Sequence, residues 1–214
     1  MNAKRTIVVG DLHGCFDELQ DLLGKIHFQP QEDELIFSGD VINRGPKSKE
    51  CINFLITTGA LSVLGNHEYF LIQSHRFQEV KRRVYRLMRK EFQDDFEELL
   101  QIISSWPIWI EREDFLLVHA GLHPFLNKTS VPPEYLLSVR EVREETGELK
   151  PWFDFYQGEK LLLFGHWAKL KSMVEKPNVI ALDGGCVYGG TLRAVILPEK
   201  QVMSVPARKI YFSG

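Results

Sequence analysis

Cysteine is scarce in this 214-residue chain: Cys15, Cys51 and Cys186 are the only three, and no two form a CxxC pair. That spacing indicates neither a disulfide framework nor a thiolate zinc site, and it suits a reducing cytoplasm. Long apolar runs are missing too. None exceeds four residues, so no transmembrane helix is expected. The opening Met1-Asn2-Ala3-Lys4-Arg5 leads into a three-residue apolar run, Ile7 to Val9, too short for the core of a signal peptide. Neither sign of charge dominates. Lys+Arg 26 against Asp+Glu 29 leaves a net −3, which demands no nucleic-acid partner. Internal repeats and low-complexity tracts are absent. What remains is 44% hydrophobic and 26% charged, the balance of one folded domain able to bury its own core.

Short β-type runs alternate with helical patterns in the first half: Thr6–Gly10 then Phe16–Ile26, Glu34–Ser38 then Ser48–Thr57, Leu61–Leu64 then Glu68 onward. Such alternation predicts βαβ units and a sheet of mixed direction. In the second half Phe115–Val118, Lys160–Phe164, Val179–Leu182, Leu192–Leu197 and Val202–Val205 read as strands, with one helical segment, Glu134–Arg143, among them. A second sheet packed on the first follows. Between the halves, apolar residues from Phe77 to Ile103 recur at three- and four-residue steps, predicting one long amphipathic helical region over about 77–104. We read it as a cap-like insertion, about 76–105, in a single domain spanning 1–214. Its charges are blocked: seven bases against Glu79 from Arg76 to Lys90, then five acids from Glu91 to Glu98. Either these are solvated faces, or the basic half meets a polyphosphate.

Polar residues follow strand after strand. Asp11 and His13 stand in Gly10-Asp11-Leu12-His13-Gly14. Asp40 opens Asp40-Val41-Ile42-Asn43-Arg44-Gly45. Asn66, His67 and Glu68 follow the third strand, His119 follows Val118, and His166 follows Gly165. Loops at the carboxyl ends of strands in open α/β sheets converge on one crevice. One such residue is usually a turn or cap residue, but five ligand-type positions in succession point to one site. Flanking glycines, among them Gly65 and Gly165, let tight turns approach ions or phosphate. The donors are oxygen and nitrogen, which suits manganese, iron or zinc, and their number exceeds one ion's needs.

The sequence GD-x-HG, GD-(x)3-RG, GNHE, a later HAG and GH near the C-terminus resembles the calcineurin-like metallophosphoesterases. Within them it is most similar to the branch holding PPP-type Ser/Thr phosphatases and symmetrical diadenosine tetraphosphatases. The resemblance runs from Gly10 to Gly190 and implies an αββα sandwich of two mixed sheets flanked by helices. It implies two divalent ions, Mn²⁺ first and Fe, Zn, Co or Ni as substitutes. Asp11, His13 and Asp40 would hold one, and Asp40, Asn66, His119 and His166 the other, with Asp40 bridging. Ala168 stands where many phosphodiesterases carry a second His. The implied chemistry is in-line attack on phosphorus by hydroxide shared between the ions. Arg44 would bind phosphate oxygens with Asn66, Arg140 would join it with Arg143 in reserve, and His67 would protonate the leaving oxygen. Asn43 replaces the Asp that orients this His in protein phosphatases; it is expected to accept a hydrogen bond from the ring without adding charge.

Phe164-Gly165-His166-Trp167-Ala168, Leu149-Lys150-Pro151-Trp152-Phe153 and the run from Leu182 to Leu192 resemble tetraphosphatase segments, and Trp152, Phe153 and Tyr188 are expected either to stack on a base or to pack structurally. Glu68 in GNHE is the protein-phosphatase form, and the chain is shorter than typical tetraphosphatases. The expected partner is therefore a nucleotide polyphosphate, with a phosphoprotein as the alternative substrate and a catalytically dead scaffold as the remaining one. No membrane and no stable nucleic-acid partner are expected. His27 and His75 read as structural, and His123, four residues past His119, as an outer neighbour of the ligands.

Overall fold

The computed structural model describes residues 5–170, 174 and 176–213; the opening segment 1–4 lies outside the described residues. β1 (Arg5–Val9), β2 (Asp33–Phe37) and β3 (Leu61–Ser62) run parallel, followed respectively by α1 (Phe16–Lys25), α2 (Ser48–Thr58) and α3 (Asn66–Arg76). α4 (Arg83–Phe92) and α5 (Phe96–Ser104) continue the helical side. The second half supplies β4 (Trp109–Glu111), β5 (Phe115–Val118), a one-turn α6 (Pro133–Leu136), the hairpin β6 (Glu141–Arg143) and β7 (Leu149–Pro151), then β8 (Leu161–Phe164) and β9 (Val179–Ala181). β10 (Thr191–Leu197) and β11 (Gln201–Pro206) return antiparallel to the first sheet. The sheet orders are β11-β10-β1-β2-β3 and β4-β5-β8-β9.

Alternation along the strands builds the layers. Ile7 and Val9 face the helices, whereas Val8 joins Ile36, Val63 and Val195 between the sheets. From the other sheet Phe115, Leu117, Leu161 and Leu163 meet them there. Leu116, Val118, Leu162 and Phe164 point outward onto Leu136, Val139, Trp152 and Phe153. The result is the expected sandwich, with full helices on one side and short pieces on the other: α6, a 3-10 turn at Trp152–Phe155 and the β6–β7 hairpin. Among the described residues no helix is long and apolar enough to cross a membrane.

Two expectations need correction. The helical reading of Glu134–Arg143 stops at Leu136. The Leu136 carbonyl accepts the Ala120 and Gly121 N–H groups at 3.1 and 3.2 Å, and Glu141–Arg143 pairs instead with Leu149–Pro151. The long helical region is not continuous either. Residues 77–82 form turns, with Gln78 at φ 55°, so the helix starts only at Arg83, and it breaks again at Gln93, whose φ of 50° an α-helix does not accept. The break lets the charge blocks fold back on one another: Arg89 meets Glu97 at 3.4 Å, and Lys49 of α2 meets Asp95 at 2.5 Å. Such exposed pairs contribute little. The apolar face carries the energy, since Met88, Phe92, Phe96, Leu99 and Ile103 are buried in the main core.

Phe96 is fully buried at this junction. Phe96→Ala is expected to cost about 3–5 kcal/mol in urea unfolding, within one cooperative transition. An early separate transition for the helical hairpin, or no loss of stability, would contradict this packing.

Candidate active site

The polar residues that end the strands converge. Asp40 lies in the loop after β2, and its carbonyl accepts the N–H groups of Leu12 and His13 at 3.2 and 2.7 Å, fastening the two motif loops together. Its Oδ1 accepts the His67 N–H at 2.9 Å. Its Oδ2 lies 3.5 Å from His13 Nε2 and 3.6 Å from His119 Nε2. Both rings are anchored by their other nitrogen, His13 Nδ1 on the Ile42 carbonyl at 3.1 Å and His119 Nδ1 on the Ser38 carbonyl at 2.7 Å. A carbonyl only accepts, so each Nδ1 carries the proton and each Nε2 turns a lone pair toward the carboxylate. Asn66 Oδ1 is close to His119 Nε2 at 3.0 Å and His166 Nδ1 at 2.8 Å, while His166 Nε2 is buried without a partner. Asp11 accepts the Ser38 hydroxyl at 3.0 Å and the His166 N–H at 3.0 and 3.1 Å.

The electrostatics agree. Burial, reinforced by Asp183 and Asp40, holds the Asp11 carboxyl well above the usual range, and burial pushes Asp40 up to about 7. Burial also drives the histidines the other way: His13 falls to about 3, helped by Arg44, and His119 and His166 are lowered too. Neutral imidazoles and crowded carboxylates facing one another are the donor set that divalent cations stabilise. The residues therefore fit metal ions of hard-to-borderline type.

The backbone is bent to serve this convergence. His13, Asp40, Asn43, Arg44 and His166 all have φ between 46° and 72°, a region non-glycine residues avoid. Close approach also explains two glycines. A Cβ at Gly165 would land on Asp11 Oδ1, and one at Gly65 on the backbone nitrogen and Oδ1 of Asp40.

Two roles escaped the sequence reading, those of Glu68 and Asp183. Glu68 is fully buried and accepts N–H groups from Asp40 at 2.9 Å, Ile42 at 3.1 Å and Gly65 at 3.1 Å, clamping the Asp40 loop to α3. Burial raises its pKa to about 7. Asp183, buried after β9, lines the same cavity as Asp11 and Asp40. It obeys the same strand-end rule as the other acids, and that signal was available.

Arg44 reaches His13 Nε2 at 2.8 Å, with its guanidinium 5.4 Å from the Tyr188 ring and 5.7 Å from that of Phe212. Arg83 of α4 lies over the same Phe212 ring at 5.2 Å. Arg140 lines the cavity and approaches the His166 carbonyl at 3.5 Å. Arg143 turns away to the Gly147 carbonyl on the hairpin. The Asn43 expectation is corrected: its Oδ1 accepts the Arg44 N–H at 2.9 Å, so its amide N–H faces His67 Nδ1, 2.7 Å away, and donates. That bond favours neutral His67, whose pKa burial already lowers strongly. Trp152 and Phe153 are core residues at 1% and 7% exposure and offer no stacking face, whereas half-buried Tyr188 does line the cavity. His123 is no neighbour of the ligands; it accepts the Phe125 and Leu126 N–H groups in its own turn.

Replacing Glu68 with Gln puts an amide donor against the Ile42 N–H in one orientation, or against the Asp40 and Gly65 N–H groups in the other. Glu68→Gln is expected to weaken Mn²⁺ affinity by roughly 10–100-fold in direct titration, with the fold retained by circular dichroism. Unchanged affinity would remove the clamp from the account.

A profile of the calcineurin-like phosphoesterase family matches residues 4–170. A symmetrical bis(5'-nucleosyl)-tetraphosphatase of Vibrio campbellii is 32% identical over 268 aligned residues, covering 94% of this chain and 98% of that one. The Actinobacillus pleuropneumoniae serotype 3 enzyme of the same name is 30% identical over 268, covering 93% and 97%. These alignments are longer than the chain itself, so about a quarter of their positions have no residue here. A crystal structure of a proposed diadenosine tetraphosphatase superposes with a TM-score of 0.82 at 31% identity, covering 96% of this chain and 95% of that one. A Saccharomyces cerevisiae protein serine/threonine phosphatase, at TM-score 0.64 and 18% identity over 96% of this chain and 80% of that one, shares the fold. With most of its length matched and its motif loops gathered at one site, the chain belongs to the calcineurin-like phosphoesterases.

Proposed function

We propose that this phosphoesterase hydrolyses dinucleoside tetraphosphates symmetrically, releasing two nucleoside diphosphates. The observation that carries it is the near end-to-end similarity to curated symmetrical tetraphosphatases, 32% identity across 94% of the chain. A cavity of about 1090 Å³ beside the ligand cluster is roomy enough for more than one phosphoryl group. Asp11, His13 and Asp40 are assigned to one divalent ion, and Asp40, Asn66, His119 and His166 to the other, with Mn²⁺ the best match to an O/N donor set without thiolate. When bound, the pair supplies Lewis acidity and an ionised water at neutral pH.

The chain's own residues do the rest. Arg44 and Arg140 neutralise the charge spread over the phosphoryl oxygens, and Asn66 helps hold them. The bond from water oxygen to phosphorus forms as the bridging P–O bond breaks. His67, when protonated, delivers the Nε2 proton to the departing oxygen and is left as neutral imidazole, the form that the Asn43 N–H stabilises. Residues 1–214 form one domain in this proposal, with the helical insertion at about 76–105 placing Arg83 over Phe212, the ring that Arg44 also approaches. The three free, buried thiols suit the cytoplasm. A phosphoprotein substrate is the second reading, favoured by Glu68 in the GNHE motif.

The decisive panel uses Mn²⁺-loaded protein with diadenosine tetraphosphate, phosphoserine and phosphothreonine peptides and an aryl phosphate. ADP as the sole product, at the highest kcat/KM of the set, is expected; preference for the peptides would transfer the enzyme to protein substrates. Asn43→Asp supplies a separate test. A carboxylate accepts from His67 Nδ1–H and raises its pKa, so the protonated ring persists to higher pH. With phenyl phosphate, whose leaving group needs the proton, the alkaline limb of the rate profile is expected to move upward. An unmoved limb in folded, metal-loaded variant would exclude His67 as the acid.

A further inference from the structure

We propose that the cavity carries a second binding arm, anchored by Arg193, that takes the distal phosphates of a polyphosphate chain. It rests on the polyphosphate substrate proposed above and names the residue that selects for it.

Arg193 lies on β10, where Leu192 and Ala194 point into the helical core and Val195 lies between the sheets. Its carbonyl accepts the Gly10 N–H at 2.9 Å, one residue before Asp11. The half-buried side chain lines the same cavity as Asp11, Asp40 and Arg44. Its Nε–H donates to Thr191 Oγ1 at 3.3 Å. The two terminal nitrogens have no hydrogen-bond or ion-pair partner among the described residues. Gly184 makes room for this placement, because a Cβ there would strike the Thr191 carbonyl and lie 3.0 Å from Arg193 Nε.

An unpaired guanidinium held in a concave wall presents its planar fork to an oxyanion. The phosphoryl group undergoing attack is already flanked by Arg44 on the His13 side and Arg140 on the His166 side. A single phosphate ester gives a third arginine in the cavity nothing to bind. A chain of phosphates does, because its charge extends past the cluster. Tyr188, in the same wall, offers a ring face next to that path.

The test uses the full-length, Mn²⁺-loaded protein and the variants Arg193→Gln and Arg193→Lys, with free Mn²⁺ held constant. Two quantities are read: KM and kcat for diadenosine tetraphosphate, and the inhibition of p-nitrophenyl phosphate hydrolysis by inorganic tripolyphosphate. Losing one charge-assisted contact, Arg193→Gln is expected to raise the tetraphosphate KM about tenfold with kcat within about twofold, and to weaken tripolyphosphate inhibition about equally. The KM for p-nitrophenyl phosphate should shift several-fold less, and Arg193→Lys should recover part of the loss. Equal tripolyphosphate inhibition in wild type and Arg193→Gln would overturn the proposal. So would a p-nitrophenyl phosphate KM that moves as far as that of the tetraphosphate. If the wild type leaves the dinucleotide uncut while Arg193→Gln still weakens tripolyphosphate inhibition, the arm stands and the dinucleotide substrate falls.

Discussion

A buried carboxylate faces two imidazole lone pairs across about 3.5 Å: Asp40 Oδ2 between His13 Nε2 and His119 Nε2. Without a cation such an arrangement is repulsive. The rings cannot relieve the repulsion with protons of their own, since both have their N–H committed to backbone carbonyls; Arg44 donates to His13 Nε2, which leaves the Asp40–His119 pair to be bridged. The rest of the site answers to this constraint. Burial raises the carboxyls and lowers the imidazoles, so each group is held in the form a divalent ion would reverse or exploit.

Holding that geometry costs backbone strain, concentrated in five residues with positive φ at the loop tips. The two-sheet sandwich bears it. β1, β2, β5, β8 and β9 end toward one crevice, and the interlayer core of Val8, Ile36, Leu117 and Leu163 keeps their ends in register. Glu68 then ties the Asp40 loop to α3 through three N–H bonds, and Asp40's own carbonyl ties that loop to the first motif. Function is thereby coupled to ordinary packing: the ligands are placed by strands whose own side chains are apolar and buried.

Much of this was legible in the sequence because strand ends reveal themselves by residue type. Asp11, Asp40, His119 and His166 each follow an apolar run, and all four reach the site. The failures have local causes. Tyr135, Leu136, Val139 and Val142 mimic helical spacing, but tertiary bonds to the Leu136 carbonyl end the helix after one turn and release Glu141–Arg143 to a hairpin. Asn43 is read from the sequence in the wrong hydrogen-bonding sense, because its oxygen is claimed by the Arg44 N–H in a loop where both residues have positive φ. Glu68, read only as the protein-phosphatase form of its motif, is also a backbone clamp, a role set by burial that no spacing reveals. For Trp152 and Phe153, left open between stacking and packing, packing holds: they fill the outer core, since alternation in β5 and β8 creates an apolar surface that something must cover.

The central claim is that the convergence at Asp40 holds two neighbouring divalent ions. Metal analysis of Mn²⁺-reconstituted protein, combined with electron paramagnetic resonance, tests it most directly. The account predicts two manganese ions per chain with an exchange-coupled signal in the wild type, and loss of that coupling in Asp40→Asn. A single uncoupled ion in the wild type, or coupling that survives Asp40→Asn, would contradict it.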